Sequence, residues 1–323
     1  MKRLGIAAAV FGLTIGAAAA QGYPQRPITM IVPFAPGGPT DVVARIVGDN
    51  MSRTLGQQVI VENVAGAGGT TGITRAAQAA PDGYTIMMGH MGTHGAAPAL
   101  YPNLKYDPAK SFDPIGMAAG TPIVVVARKD YPAADLKAFV TALKTNDTKT
   151  NMAHAGVGSV SHSTGVLFTS VLGIKPTMVA YRGTGPALND LMSGQVDFMT
   201  DQIVNVAPQI TGGTIKAYAI ATPKRSPALP DVPTTKEAGL DGYEVSAWNA
   251  VFAPKGLPTE VRTKLIDALD KALSDEGTRK RLLDLGGVLP EGADRGPEAL
   301  QTLVVSEVAR WTPVLKAAGA VGN

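Results

Sequence analysis

The chain has 323 residues, 45% of them hydrophobic, with 29 lysines and arginines against 26 aspartates and glutamates and no cysteine. The missing cysteines exclude a disulfide framework, a thiolate metal site and a thiol nucleophile, and a chain of this length buries enough surface to fold without such staples. Nearly balanced charge with no basic cluster argues against nucleic acid or an anionic membrane as partner.

Lys2 and Arg3 open the chain, Leu4 to Ala17 is apolar and small, and Ala18-Ala19-Ala20 offers an A-x-A site before Gln21. This is the layout of a secretory signal peptide over 1–20, with cleavage expected after Ala20. The apolar run is too short and too rich in Ala and Gly for a membrane span. Losing Lys2 and Arg3 leaves 27 basic residues against 26 acidic ones, so the pI near 9.0 says little.

From Ile28 onward, short apolar runs alternate with helical patterns. Ile28–Val32 reads as a strand, and Val42, Val43, Ile46, Val47, Met51 and Leu55 recur at helical spacing after it. Between them lies the loop Pro33-Phe34-Ala35-Pro36-Gly37-Gly38-Pro39-Thr40-Asp41. Val59-Ile60-Val61 is a second strand. The following Gly66–Gly72 stretch has irregular glycine spacing and no acidic residue at the offset a dinucleotide fingerprint requires, so a tight cleft-lining loop is expected. Tyr84–Met88 is a third strand. His90 and His94 follow it, but Gly92 and Gly95 argue against a helix there and no carboxylate accompanies them. They read as polar loop histidines, not metal ligands.

Ile115–Arg128 is a long extended segment. A second glycine loop, Gly156-Val157-Gly158-Ser159-Val160-Ser161-His162, opens another helical pattern. Thr177–Ala180 and Ala217–Ile220 read as strands, and Thr184 with Pro186 reads as an N-cap and early helical proline, with Gly194 as the stop. Four prolines within Thr222–Tyr243 mark a pinned loop. Tyr243–Ala253 is the second long strand, Thr259 is read as capping a helix, and a last helical pattern ends near Lys316–Gly319. The length suggests two domains and the alternation an α/β architecture. Two long extended segments flanking a middle block suggest strands that cross between the domains.

The chemistry concentrates in the two glycine loops. Each joins a strand to a helix and presents unpaired N–H groups at the positive end of a helix dipole, so together they suit one small anion. Ser159, Ser161 and Ser163 cluster beside His162, but no G-x-S-x-G elbow exists and a neighbouring histidine is badly placed as base. Asp41 sits in a first helical turn, where a carboxylate complements the dipole. Asp201 follows an apolar run and is placed to accept from a ligand ammonium or hydroxyl. No catalytic set, metal site or cofactor is expected.

Several stretches in order along the chain resemble the signature of one family: Pro33–Asp41, Val61-Glu62-Asn63 with its glycine loop, Ala80–Thr85, Gly158–His162, Arg225–Thr234 and Ala253-Pro254. The family is that of the Bug or tripartite tricarboxylate transporter substrate-binding receptors, which are periplasmic. The resemblance implies an α/β, two-lobed periplasmic-binding-protein fold of the type II kind, with two mixed sheets flanked by helices and joined by two crossing strands. Lobe 1 would comprise 23–120 and 248–323, and lobe 2 would comprise 121–247. It further implies a ligand carboxylate held by Phe34, Gly37, Gly38, Thr40 and Asp41 from one lobe and Gly158, Ser159, Ser161 and His162 from the other. Thr93, Gly183, Thr184 and Asp201 would line the remainder. His90-Met91 and Asn249 stand where relatives often carry small or aromatic residues, which points to unusual recognition of the distal ligand end. The implied partners are a small carboxylate and a TctA/TctB-like permease, with the receptor a monomer. A sensor docking on a signalling partner is the alternative reading, and a serine hydrolase built on Ser161 and His162 a remote one.

Overall fold

The structure is a computed structural model describing residues 22–320, so the expected signal peptide lies outside the described residues. In chain order its elements are β1 (Ile28–Val32), α1 (Pro39–Leu55), β2 (Val59–Asn63), α2 (Thr70–Ala77), β3 (Thr85–His90), α3 (Ala97–Leu100), β4 (Phe112–Arg128), α4 (Leu136–Thr145), β5 (Asn151–His154) and α5 (Val160–Leu172). They continue as β6 (Thr177–Ala180), α6 (Thr184–Met192), β7 (Phe198–Gln202), α7 (Ile203–Thr211), β8 (Ile215–Ile220), β9 (Ser246–Pro254), α8 (Thr259–Ser274), α9 (Glu276–Asp284) and α10 (Pro297–Ala317). Among the described residues no helix is long and apolar enough to cross a membrane.

The first lobe is built on the order β2-β1-β3-β9-β4, parallel through β3 and antiparallel beyond it. Strand alternation sorts its side chains. Ile28, Met30 and Val32 share a core with Val43, Val47, Leu265 and Leu269 of α1 and α8, while Ile31 and Met87 face Leu300 and Trp311 of α10. The second lobe uses β7, β8, β5 and β6.

One strand serves both lobes. Residues Phe112–Pro122 of β4 pair with β9, whereas Ile123–Ala127 pair with β7 and Val124–Arg128 with β8. Its side chains are buried along almost the whole length, as expected of a strand covered on both faces. The chain returns on β9, after Val245 N–H bonds to Ala221 O at the end of β8. These are the two crossing strands. The lobes share this polypeptide and meet again at the cleft mouth. There Ala35 N–H donates to Arg182 O at 3.0 Å and the Tyr101 hydroxyl to Val157 O at 2.7 Å, so the lobes are closed on one another.

Three local expectations need correction. Residues Gly92–Ala96 form a π-helical turn running into α3 rather than a loop, and both histidines there are buried. The glycines permit this turn by close packing, since a Cβ on Gly92 would sit 2.6 Å from Gly158 O and one on Gly95 3.1 Å from Glu307 Cβ. Thr184 and Thr259 are first helical residues, with Gly183 and Pro258 as the N-caps. The last strand starts at Ser246, because Tyr243 and Val245 turn into the core as the proline loop ends.

Asp113, near the start of β4, fixes the far end of the strand pair. Its carboxylate accepts from Lys255 Nζ, Gly256 N–H and Leu257 N–H, each at 2.8 Å. Burial works against the charge, but these donors and the Lys255 ammonium outweigh it and hold the carboxyl below the usual range. A folded-state value below the unfolded value of about 3.9 adds stability above that pH, which is lost as acid protonates the folded carboxyl. Asp113→Ala should therefore lower stability by about 1.5–3 kcal/mol at pH 7 in urea titration, with the gap from wild type narrowing below about pH 4. A gap that widens in acid would contradict this.

A candidate ligand site between the lobes

Between the lobes lies a cavity of about 270 Å³ lined by Phe34, Gly38, Pro39, Thr40 and His90 from one side and Ala155, Ser159, Val160, Ser161, Thr184 and Gln202 from the other. Among the described residues no lysine, arginine, aspartate or glutamate lines it. Its polarity comes instead from three helix starts, those of α1, α5 and α6, and from the side chains of His90 and Gln202.

A helix leaves its first N–H groups without intrahelical partners. Around α1, Gly37 N–H is used by Asp41 at 3.1 Å and Ala35 N–H by Arg182 O, while Gly38 and Thr40 N–H find no acceptor among the described residues. Pro39 at the first helical position has no N–H to satisfy. Around α5, Gly158 N–H goes to His162 Nδ1, Ser159 N–H to Gly156 O, and His162 N–H to the Ser159 side chain. Val160 and Ser161 N–H remain without acceptors among the described residues. The Ser161 oxygen accepts from Ala155 N–H at 2.9 Å and lies 3.3 Å from the Ser159 hydroxyl; with Ser159 as the donor of that pair, the Ser161 proton is left for the cavity. Four N–H groups and a hydroxyl thus converge on a cavity with no competing carboxylate.

The remaining polar groups hold these donors in place. Asp41 bonds Gly37 N–H, Arg45 and Asn63 Nδ2, tying loop, helix and β2 together. Burial opposes its charge, but these three donors and the Arg45 charge keep its carboxyl below the usual range. Asp201 is wholly buried and its pKa rises to about 7 through burial, against bonds from Asn205, Gln202 N–H and the Thr184 hydroxyl. It pins the start of α6 from beneath and does not line the cavity. Thr93 also lies behind the wall, with its N–H on His90 Nδ1 and its hydroxyl between His90 O and His94 Nδ1. Gly37 and Gly183 sit at the lobe contact, where a Cβ on Gly183 would come 3.1 Å from Ala35 N. Gly158 and His162 form the back of the α5 loop.

All four histidines are buried and uncharged. Burial pushes His90 and His162 down to about 3, with His154 adding to the shift of His162. The His162 ring is unfit as a base for Ser161, because its Nδ1 takes Gly158 N–H and no Ser161–His162 side-chain bond forms among the described residues. His94 stacks on Phe252 at 4.1 Å and belongs to the core. Among the described residues no group of three His, Cys, Asp or Glu could hold a metal ion.

Of the residues expected at the ligand, Phe34, Gly38, Thr40, Ser159, Ser161 and Thr184 come together on the cavity wall. Gln202 was missed. Its signal was the strand period, which turns Gln202 to the face opposite Asp201.

The profile of the tripartite tricarboxylate transporter family receptor matches residues 43–320. The UPF0065 protein in the TAR-I ttuE-ttuC' intergenic region of Agrobacterium vitis is 44% identical over 304 residues, covering 94% of this chain and 87% of that protein. The structure of MatC from Rhodopseudomonas palustris with bound malate superimposes with a TM-score of 0.88 at 48% identity, covering 91% of this chain and all of MatC. The periplasmic binding protein BugD gives 0.90 at 44% identity, covering 93% of this chain and all of BugD. The chain belongs to the tripartite tricarboxylate transporter receptor family, whose members are periplasmic solute-binding receptors and not enzymes.

Proposed function

We propose that this receptor is exported by cleavage after Ala20, closes its lobes as a monomer on one small carboxylate, and delivers it to a TctA/TctB-like permease. The observation that carries the reading is the convergence of unpaired N–H donors from the α1 and α5 starts on one cavity between the lobes. In this reading Gly38, Thr40, Val160 and Ser161 hold the carboxylate. Phe34, Ser159 and Thr184 shape the wall around it. Gly37, Asp41, Gly158, His162, Gly183, Thr93 and Asp201 position those groups. MatC, at 48% identity, holds malate, a small carboxylate. We assign lobe boundaries at 120/121 and 247/248, within two residues of the change of partner along β4 after Pro122 and of the start of β9 at Ser246.

Recognition by neutral donors alone favours a charged acceptor, because charge-assisted hydrogen bonds are roughly twice as strong as neutral ones. Calorimetry with succinate and with dimethyl succinate should show binding of the acid and loss of nearly all binding of the ester. Equal affinity for both would overturn the reading. Ser161→Ala removes one charge-assisted bond and should weaken succinate binding about ten- to 150-fold.

Closure is tested apart from ligand contact. A Cβ at Gly68 would lie 1.7 Å from Val157 O of the other lobe, and its φ of +61° already disfavours a side chain. Gly68→Val should block closure and weaken succinate binding about five- to 150-fold, with solution scattering of the succinate-saturated variant showing a larger molecule than wild type. Scattering identical to that of the closed wild type would contradict it.

A further inference from the structure

Below the helix starts, a row of four polar side chains crosses the cleft floor from strand to strand. His90 ends β3 and stands directly opposite Asn249 of β9 in the antiparallel register, so both side chains lie on one face. Next to them come Thr121 of β4 and Gln202 of β7. All four are at most 3% exposed. Such a row is expensive inside a protein, and the more so because Asn249 Oδ1 is buried with no partner among the described residues. Four apolar side chains would close the same floor more stably. The structure needs another reason to keep it.

The bonding fixes what the row offers the cavity. The Thr121 hydroxyl donates to Gln202 Oε1 at 2.7 Å, and Asn249 Nδ2 donates to the same oxygen at 3.1 Å. With its oxygen occupied, Gln202 has its amide N–H groups left, and this side chain lines the cavity. The His90 ring follows the same logic. A backbone N–H can only donate, so the bond from Thr93 N–H at 3.1 Å makes Nδ1 an acceptor. Burial keeps the ring uncharged, so its single proton sits on Nε2. Phe34 stacks on the ring, with centroids 4.9 Å apart, and holds it in the wall. Both floor residues therefore present donors, and neither presents an acceptor.

We propose that His90 Nε2–H and the Gln202 amide form a second, donor-only subsite that receives the distal carboxylate of a small dicarboxylate and sets the receptor's preference for diacids. Asn249 and Thr121 are positioning residues that turn Gln202 toward the ligand and tie the subsite to both crossing strands. A distal ammonium would meet these donors with no carboxylate on the wall to pair with it, so the same geometry disfavours amine-bearing acids. This inference rests on the proposed capture of a carboxylate by the helix starts and names the substrate class of that site.

Succinate and butyrate have the same chain length and differ by the distal carboxylate, so the ratio of their affinities by calorimetry reads the subsite. Wild type should prefer succinate by about ten-fold or more. His90→Phe keeps the stack on Phe34 and removes the donor, and should reduce that ratio about ten-fold or more. Gln202→Met, which keeps the length of the side chain, should reduce it likewise and stands in if His90→Phe fails to fold. A folded variant that weakens both ligands equally, leaving the ratio intact, overturns the subsite and makes the residue structural. Wild type binding succinate and butyrate equally overturns the subsite alone. Wild type binding neither overturns the carboxylate reading on which it rests.

Discussion

The structure is organised around backbone N–H groups at helix starts that have no partner within the chain. An unpaired donor buried away from water is costly, so several gathered on one cavity must be met by water or by a ligand acceptor, and a charged acceptor meets them best. The lobe order follows from this constraint. α1 and α6 begin against each other, with a Cβ on Gly38 coming 3.6 Å from Gly185 N, and α5 enters from the loop after β5. A fixed cation would have been the simpler answer to an anion. Helix starts and hydroxyls instead provide directional bonds of roughly 1.5–3 kcal/mol each and leave no strong ion pair to break on release, which suits a receptor that must give up its cargo.

Two buried aspartates hold this arrangement, and their electrostatics differ for a physical reason. Asp41 has the Arg45 guanidinium beside it, so its charge is retained despite burial. Asp201 has only neutral donors and is wholly buried, so its pKa climbs to about 7. Both lie behind the backbone they position, and both serve the ligand by fixing a loop or a helix start. The same division holds in the α5 loop, where His154 and His162 accept from Gly156 and Gly158 N–H and so remove those two donors from competition for the ligand.

Much of this was legible in the sequence because strand-to-helix joints with glycine are local features. Ile28–Val32 followed by Gly37-Gly38-Pro39, and His154 followed by Gly156–Ser161, announce both the elements and the anion-binding chemistry. The partition within each loop was not legible. Which N–H is spent on Asp41 or on a histidine ring depends on contacts across the fold, and so does the placement of Thr93 behind the wall. His90 and His94 looked like loop residues because Gly92 and Gly95 disfavour helix; packing against Gly158 and Glu307 overrode that propensity and made glycine the residue that fits. Thr184 resembled a cap because its hydroxyl is at a helix start, yet that hydroxyl is bound to Asp201, a partner seventeen residues away that no local pattern reveals.

The central claim is that a ligand carboxylate is held by helix-start donors and by no cation. A crystal structure of the protein with succinate tests it most directly. The account predicts one carboxylate within about 3.2 Å of the N–H groups of Gly38 or Thr40 on one lobe and Val160 or Ser161 on the other. A succinate seated instead at the cleft mouth against the Arg182 side chain, with those N–H groups turned to water, would contradict it.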